Sequence, residues 1–518
     1  MISKYLNCEY RVKNKRLFEP HWFIILLLFL LVSLPYLKQI ATPNYTIASR
    51  DEYRYAILAD KLSGRFENVP DPAIPIQYPW GWPVLIYLGR LITGHTITGA
   101  HLISSMSSIL IGFLSYLLMR YFTSRWVALI IGLLVSTNLS MVMLGDRMLS
   151  EPAFTAAYLC GLLVAVKNVG ELRRNYWSLT AAGLMGVVIT AIRTVGIIFS
   201  FAALLALWDI TWQKREPPLT RRLIGSSLLL ITPVVVFLLA TSLASPTQGI
   251  NTSSGYFKQF LGSRVSMDSP GYLNGVWKRT QQDFQRHADD YVNVFREFKP
   301  TYFLGRIEVA TGLDTILKYL LVSMSVIGLV WRFWRQRGLV EWFVLLYLIT
   351  FFLWPYFSSR FFLPLLPLLL WFIVWTLLQL TSHRKSLAAV ALGIGLVLLV
   401  GSLIQALSKA TASRAEYDEK TRHLEAAISY IQHGFAETDI LGTYFIFEVY
   451  YFAPELPVVR LPTGAEAYAN ALANERVTYV LSNVGNPEPN IIYQRYAEFF
   501  DQPVEFGEFT IYHVRNWP

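Results

Sequence analysis

Apolar runs close to twenty residues long, almost free of charge, recur along this 518-residue chain, and that length is what an α-helix needs to cross a hydrocarbon core about 30 Å thick. A soluble domain has no use for so many in series. They lie near residues 22–40, 98–120, 126–144, 151–167, 177–192, 195–211, 222–243, 316–333, 339–357, 361–380 and 386–407, about eleven in all. With 54% hydrophobic and only 15% charged residues, the chain reads as an α-helical polytopic membrane protein.

The charges between the runs give a topology. A net charge of +10 would suit a nucleic-acid partner if it formed one patch, but the basic residues sit in short clusters between apolar runs. Arg11, Lys13, Lys15 and Arg16 precede the first run, and Arg120 and Arg125 follow the second. Lys167, Arg173 and Arg174 follow the fourth, and Lys214, Arg215, Arg221 and Arg222 the sixth. Arg332, Arg335 and Arg337 follow the eighth, and Arg384 and Lys385 the tenth. Every second connection is basic, which puts these connections and the N-terminus in the cytoplasm. No nucleic acid is expected as a partner. The basic N-terminal segment and first run resemble a signal peptide, but no small-residue cleavage site follows, so the run is read as an uncleaved first span of a multi-pass plasma-membrane protein. Of the two cysteines, Cys8 lies in the basic N-terminal segment and Cys160 inside an apolar run; neither a disulfide nor a metal-ligand spacing follows from them.

Two domains are expected. Residues 1–407 form the transmembrane part, with extracytoplasmic loops at 41–97 and 244–315, and residues 408–518 form a small soluble α/β domain on the same outer side. In the tail the patterning predicts a helix over Ala415–His433, strands over Asp439–Thr443, Val458–Leu461, Val477–Leu481 and Phe509–Val514, and helices over Gly464–Ala473 and Ile491–Phe499. In the long loop Trp277, Phe284 and Tyr291 recur every seventh residue among charged positions, the pattern of an amphipathic helix lying on the membrane or packed on the protein's own loops.

The chemistry-bearing residues gather on the outer side. Asp51 and Glu52 follow the first span, where they could cap the next helix through its free amides or supply a general base. Asp146 and Glu151 flank the turn between the third and fourth runs. Glu151 with Pro152 also suits a helix start, while two acidic loop ends on one side could converge as sugar or metal ligands. Arg193 and Arg360 lie between apolar runs, where a guanidinium either snorkels to the interface or pairs with a phosphate. Tyr78, Trp80 and Trp82, in the cluster Tyr78–Pro83, could stack on a sugar, line a lipid entrance or belong to an interfacial aromatic belt.

Several of these stretches together resemble the GT-C membrane glycosyltransferases. They are Asp51–Ala56 after the first span, Tyr78–Pro83 before the second, Met148–Pro152 before the fourth, Ala191–Gly196 between two spans and Arg360–Pro367 opening the tenth. Within that superfamily the order resembles the branch of protein O-mannosyltransferases and lipid A aminoarabinose transferases, over most of residues 1–408. The resemblance implies a GT-C fold, Asp51 as the catalytic carboxylate with Glu52 as its acidic neighbour, and a sugar donor carried on a polyprenyl monophosphate. The aminoarabinose branch carries a Lys-Pro-Pro run in the first loop that helps bind donor phosphate; here Pro79–Pro83 holds no lysine, so that sugar and lipid A are not carried over, and Arg193 or Arg360 would meet the phosphate instead.

The implied reaction is a single displacement. An acceptor hydroxyl, on a lipid, glycan or protein, attacks the anomeric carbon while Asp51 removes its proton, and the configuration inverts. No cofactor is required, although a divalent metal on Asp146 or Glu151 is compatible with the pattern. A flippase moving lipid-linked sugars without chemistry is the competing class; against it stand the absence of an internal repeat and the clustering of charges at one face.

Overall fold

The computed structural model describes residues 22–42, 47, 49–66, 78–168, 176–214, 234, 272–298, 308–354, 356–381, 385–412, 414–436, 438–462, 465–483 and 487–515. The apolar runs become helices: α1 (Trp22–Ala41), α4 (Thr96–Met119), α5 (Arg125–Thr137), α6 (Leu139–Gly145), α7 (Glu151–Asn168), α8 (Tyr176–Ile192), α9 (Ile197–Lys214), α11 (Glu308–Gln336), α12 (Leu339–Phe352), α13 (Leu366–Thr381) and α14 (Lys385–Lys409). The run at 222–243 lies outside the described residues. The fold is a polytopic helical membrane fold, but the count of eleven spans is not reached by length and composition. Five helices among the described residues satisfy both, or six if α5 and α6, bent by 57°, make one span. The bend falls at Asn138, whose backbone leaves α5 in an extended conformation and whose side chain accepts from Met141 N at 3.2 Å to start α6.

Helix α4 is the hub, packed against α1, α5 and α7 and against the short amphipathic α3 (Gly81–Thr93). Its buried face is lined with Ser104, Ser105, Ser108 and Ser115, small residues that let neighbouring backbones approach closely in lipid. Buried polar groups lock the bundle: Tyr36 Oη donates to Ser136 O at 2.9 Å, and Gln39 Nε2 reaches both Val142 O and Ala410 O at 2.9 Å. Helix α13 is almost entirely buried, while α1, α11 and α14 keep rows of exposed leucines, isoleucines and valines, the surfaces a bilayer would cover.

Among the described residues ahead of the tail, α3 and two further helices lie outside the predicted runs. The first loop folds into α2 (Arg50–Lys61), and the described part of the long loop into α10 (Tyr272–Asn293). Helix α10 is the expected amphipathic helix, with Tyr291 buried against the bundle and Trp277 and Phe284 exposed. The tail begins with α15 (Arg414–Gly434) and forms a five-stranded sheet of order β2-β1-β3-β5-β4: β1 (Leu441–Thr443), β2 (Val458–Arg460), β3 (Tyr479–Asn483), β4 (Val504–Phe506) and β5 (Phe509–His513). Strand β1 runs parallel to β2 and β3, whereas β3–β5 and β5–β4 are antiparallel. Helices α17 (Ala465–Asn474) and α18 (Pro487–Arg495) contribute Tyr468, Leu472 and Ile492 to a second core on one face of the sheet. The other face, with α15 and α16 (Ile446–Phe452), is continuous with the core of the helical bundle. The α/β tail is thus docked on the bundle, and α16 rests on α2.

Candidate active site

Helix α2 starts at Ser49, an extended N-cap residue, so Asp51 falls in its first turn. The Asp51 carboxylate is aimed outward from the helix: Oδ2 accepts from Arg360 Nη2 at 2.6 Å and Oδ1 from Tyr78 Oη at 2.7 Å. Arg54, one helical turn on, lies 3.7 Å from Asp51 and donates from Nη1 to Tyr78 Oη at 2.9 Å. Burial pushes the Asp51 carboxyl up, but Arg360, Tyr78 and Arg54 together hold it below its usual range. The Tyr78 hydroxyl is driven well above its ordinary value by burial and by Tyr55 and Asp51 beside it, so it remains a proton donor at any working pH.

Arg360 belongs to a short 3₁₀ turn, Ser359–Phe361, that precedes α13. Its Nε lies 3.6 Å from Glu151 Oε1 while Arg193 Nη1 lies 2.8 Å from the same oxygen. Glu151 opens α7, and Arg193 occupies an extended linker between α8 and the Thr194–Gly196 turn. Both guanidiniums also lie within about 5.5 Å of the Phe361 ring. The structure therefore joins Asp51, Glu151, Arg193 and Arg360, residues from four separate stretches, into one alternating charge cluster. Asp51 and Arg360 keep more than a quarter of their side-chain surface exposed, whereas Glu151 is buried at 3%.

The other expected residues are placed elsewhere. Glu52 is fully buried on a different face of α2, where it accepts from Arg147 Nε at 2.5 Å and from Ser49 Oγ at 3.3 Å. Asp146 is clasped by Arg414 at the head of α15, with Nε donating to Oδ2 at 2.8 Å, and the same guanidinium reaches Thr42 O and Gln39 O. Asp146 and Glu151 are thus held by different arginines. Among the described residues no group of three or more His, Cys, Asp or Glu side chains is assembled as metal ligands would be.

The aromatic cluster divides as well. Tyr78 is in the charge cluster through its hydroxyl and packs on Tyr55 with centroids 4.7 Å apart. Trp82, expected to face a sugar or the lipid entrance, is fully buried and donates from Nε1 to Met148 O at 3.1 Å. It braces the turn that leads to Glu151. Trp80 is half-buried at the start of α3. Gly81 between them is required by contact: a Cβ there would come within 2.5 Å of the Ala191 backbone, two residues before Arg193. Of the basic residues in the long loop, Lys258 and Arg264 lie outside the described residues.

Sequence reasoning missed the residues that the tail domain contributes. Arg50 donates to Tyr444 O at 2.6 Å, and the Arg54 guanidinium lies 4.2 Å from the Phe447 ring centroid of α16. Glu448 is buried beside Arg50 at 3.9 Å, and burial pushes its carboxyl up against the pull of Arg50, Arg54 and Lys420. Arg54 alone carried a local signal, its spacing of three from Asp51 on a helix.

With this geometry in hand, the chain can be compared with known proteins. No protein-family model and no curated protein matches the sequence. Solved structures do. ArnT from Cupriavidus metallidurans bound to undecaprenyl phosphate superposes with a TM-score of 0.55 at 13% identity, covering 95% of this chain and 98% of that one. Its apo state matches over the same shares at 12% identity, also with a TM-score of 0.55. The Archaeoglobus fulgidus oligosaccharyltransferase in its apo form matches at 0.52 and 12% identity, over 90% of this chain and 70% of that one. The fold is the one these solved structures share. At such identities the likeness concerns architecture, and it takes in both the helical bundle and the tail domain, since 95% of this chain is covered.

Proposed function

We propose that this protein is a membrane glycosyltransferase that moves a sugar from a polyprenyl-phosphate donor to an acceptor hydroxyl on the extracytoplasmic face, with inversion. The observation that carries this reading is the Arg360 guanidinium shared between Asp51 at 2.6 Å and Glu151 at 3.6 Å, a partly exposed base and a phosphate-binding cation already in contact. That the superposed ArnT is bound to undecaprenyl phosphate supports a polyprenyl-phosphate ligand here.

In this reading the donor phosphate draws Arg360 and Arg193 toward itself. Asp51, relieved of its strongest cation, becomes more basic at the moment an acceptor hydroxyl is bound. The hydroxyl oxygen attacks the anomeric carbon, its proton passes to Asp51, and the bond to the phosphate oxygen breaks on the far side of the sugar. Charge balance favours the scheme. Arg54, Arg193 and Arg360 face Asp51 and Glu151, which leaves one positive charge to meet the single negative charge of the donor phosphodiester. After transfer Asp51 is neutral, the site gains one positive charge, and the released monophosphate carries close to two negative charges. The site stays near neutrality throughout, so the arginines supply the stabilisation a metal would otherwise give. Glu52, bonded to Arg147 inside the protein, holds the orientation of α2, and the buried Trp82 fixes the turn before Glu151. The acceptor is a lipid, glycan or protein hydroxyl reaching Asp51 past α2 and α16.

The test is sugar transfer from radiolabelled polyprenyl-phosphate donors by purified protein, with host membrane extract as acceptor. Asp51→Asn is expected to lower transfer by about 10²–10⁴-fold, the range for loss of a general base, with expression and folding unchanged. Full activity in that variant would refute the assignment of the base. Donor movement across proteoliposomes with no label transfer would replace the enzyme by a flippase.

A further inference from the structure

Arg193 and Arg360 approach a single oxygen, Glu151 Oε1, at 2.8 and 3.6 Å, and neither contact orients its guanidinium. Arg193 Nη1 is buried and makes no hydrogen bond in spite of the short distance, and 3.6 Å lies beyond hydrogen-bond reach. Arg360 does donate to Asp51 Oδ2 at 2.6 Å, but that is the contact the proposed reaction has to release. Besides Glu151, the two arginines share a ring. The guanidinium carbons of Arg193 and Arg360 lie 5.4 and 5.2 Å from the centroid of Phe361, within the range in which the face of an aromatic ring attracts a cation.

Phe361 is itself held from three sides. Its amide donates to Ser358 O at 3.0 Å, its carbonyl accepts from Tyr347 Oη at 2.9 Å, and its ring stacks on Phe351 with centroids 5.4 Å apart and planes 20° from parallel. Tyr347 is fully buried and stands one turn before Phe351 on α12, so one helix fixes both the carbonyl and the ring of Phe361.

We propose that Phe361 is a positioning residue for the donor phosphate: its ring is a shelf that holds Arg193 and Arg360 side by side once Asp51 has let go of Arg360. The inference rests on the reading of these two arginines as the phosphate ligands. A guanidinium donates within its plane and offers its face to a ring, so the shelf leaves the N–H groups free for phosphate oxygens. The same ring offsets part of the repulsion between two cations gathered at one anion. Before the phosphate arrives, Arg360 has Asp51 to orient it; afterwards it has the ring. Loss of the ring therefore weighs on the bound state more than on the free one, and it weighs only on a charged ligand.

The experiment is binding of undecaprenyl monophosphate, and of uncharged undecaprenol with the same chain, to the full-length protein in nanodiscs, titrated for wild type, Arg360→Gln, Phe361→Leu, Phe361→Tyr and Tyr347→Phe. Phe361→Leu keeps apolar bulk but removes the flat ring, and is expected to weaken binding of the phosphate by about fivefold, the weight of one partly desolvated cation–π contact. Its affinity for undecaprenol should not change. Phe361→Tyr keeps the ring and should bind both lipids as wild type does. Tyr347→Phe releases the Phe361 carbonyl while both arginines and the ring remain; it should show the same selective weakening, and it serves should the leucine variant fail to fold. Wild-type affinity for the phosphate in both Phe361→Leu and Tyr347→Phe, beside a weakened Arg360→Gln, would overturn the shelf, as would an equal loss of affinity for undecaprenol. Wild-type affinity in Arg360→Gln would instead remove the phosphate assignment beneath it.

Discussion

Replacing Tyr78 by phenylalanine tests whether Asp51 is the titrating base, because it removes the hydroxyl and leaves the ring. The hydroxyl donates to Asp51 Oδ1 at 2.7 Å and the ring packs on Tyr55 at 4.7 Å. A hydrogen bond to a charged acceptor stabilises it by about 1.5–3 kcal/mol, and one pH unit of acidity corresponds to about 1.4 kcal/mol. Loss of the whole bond would therefore move the acid limb by about one to two units. Arg54 lies 3.7 Å from Asp51 and loses its Tyr78 acceptor in the same variant, so it can close on the carboxylate and recover part of the loss. The lower end, about one unit, is expected. The sign follows from the role: donors to the carboxylate depress its pKa, so removing one raises it, and the ionised base persists only at higher pH. In transfer assays over a pH series, the acid limb of kcat/KM should move upward while the plateau above it is largely kept. A uniform loss at every pH with an unmoved limb would mean that Asp51 is not the group whose ionisation the rate reports.

Two further outcomes concern the docking of the tail domain. Arg414→Ala removes the clasp on buried Asp146 and should cost about 3–5 kcal/mol, the usual penalty for stranding one partner of a buried pair, read as a lower melting temperature and faster proteolysis at the start of α15. Equal stability would show that the clasp is dispensable. Glu448→Gln should raise the melting temperature at neutral pH. Burial raises the Glu448 carboxyl in the folded state despite Arg50, so its contribution to stability is present below its unfolded pKa and is lost as pH rises through the folded one. The advantage of the glutamine variant should therefore close on acidification, and a variant less stable at neutral pH would refute that sign.

Much of the bundle was legible because apolar length is a local property. Ten of the eleven predicted runs lie on helices, and only the break at Asn138 escaped, since hydropathy averages across a single polar residue. In the tail, the helix at Arg414–Gly434 and four of the strands were anticipated within a few residues. Helix α16 was not. Its sequence, Ile446–Phe452, is mostly β-branched and aromatic, a composition that favours strands, and it is helical because it packs on α2, where Tyr53 meets Tyr451 and Phe452 at centroid distances just under 6 Å. The charges of the site could be named but not paired. Nothing local joins Arg414 to Asp146 or Arg360 to Asp51.

The pair Asp51 and Glu52 shows how far adjacency in sequence misleads about chemistry. Consecutive residues on a helix point about 100° apart, so the two carboxylates diverge once α2 forms. Each acquires an arginine, but under different conditions. Glu52 and Arg147 meet with Glu52 wholly enclosed, and a charge with no solvent to fall back on cannot change partners without the penalty of an unpaired buried ion. Asp51 and Arg360 meet with more than a quarter of each side chain exposed, and Arg360 already has Glu151 as a second anion within 3.6 Å. Only this pair can exchange partners at modest cost. The base proposed above, held ionised at rest and released when a phosphate arrives, would need that kind of contact, and α2 would then carry one fixed acid, Glu52, and one exchangeable acid, Asp51.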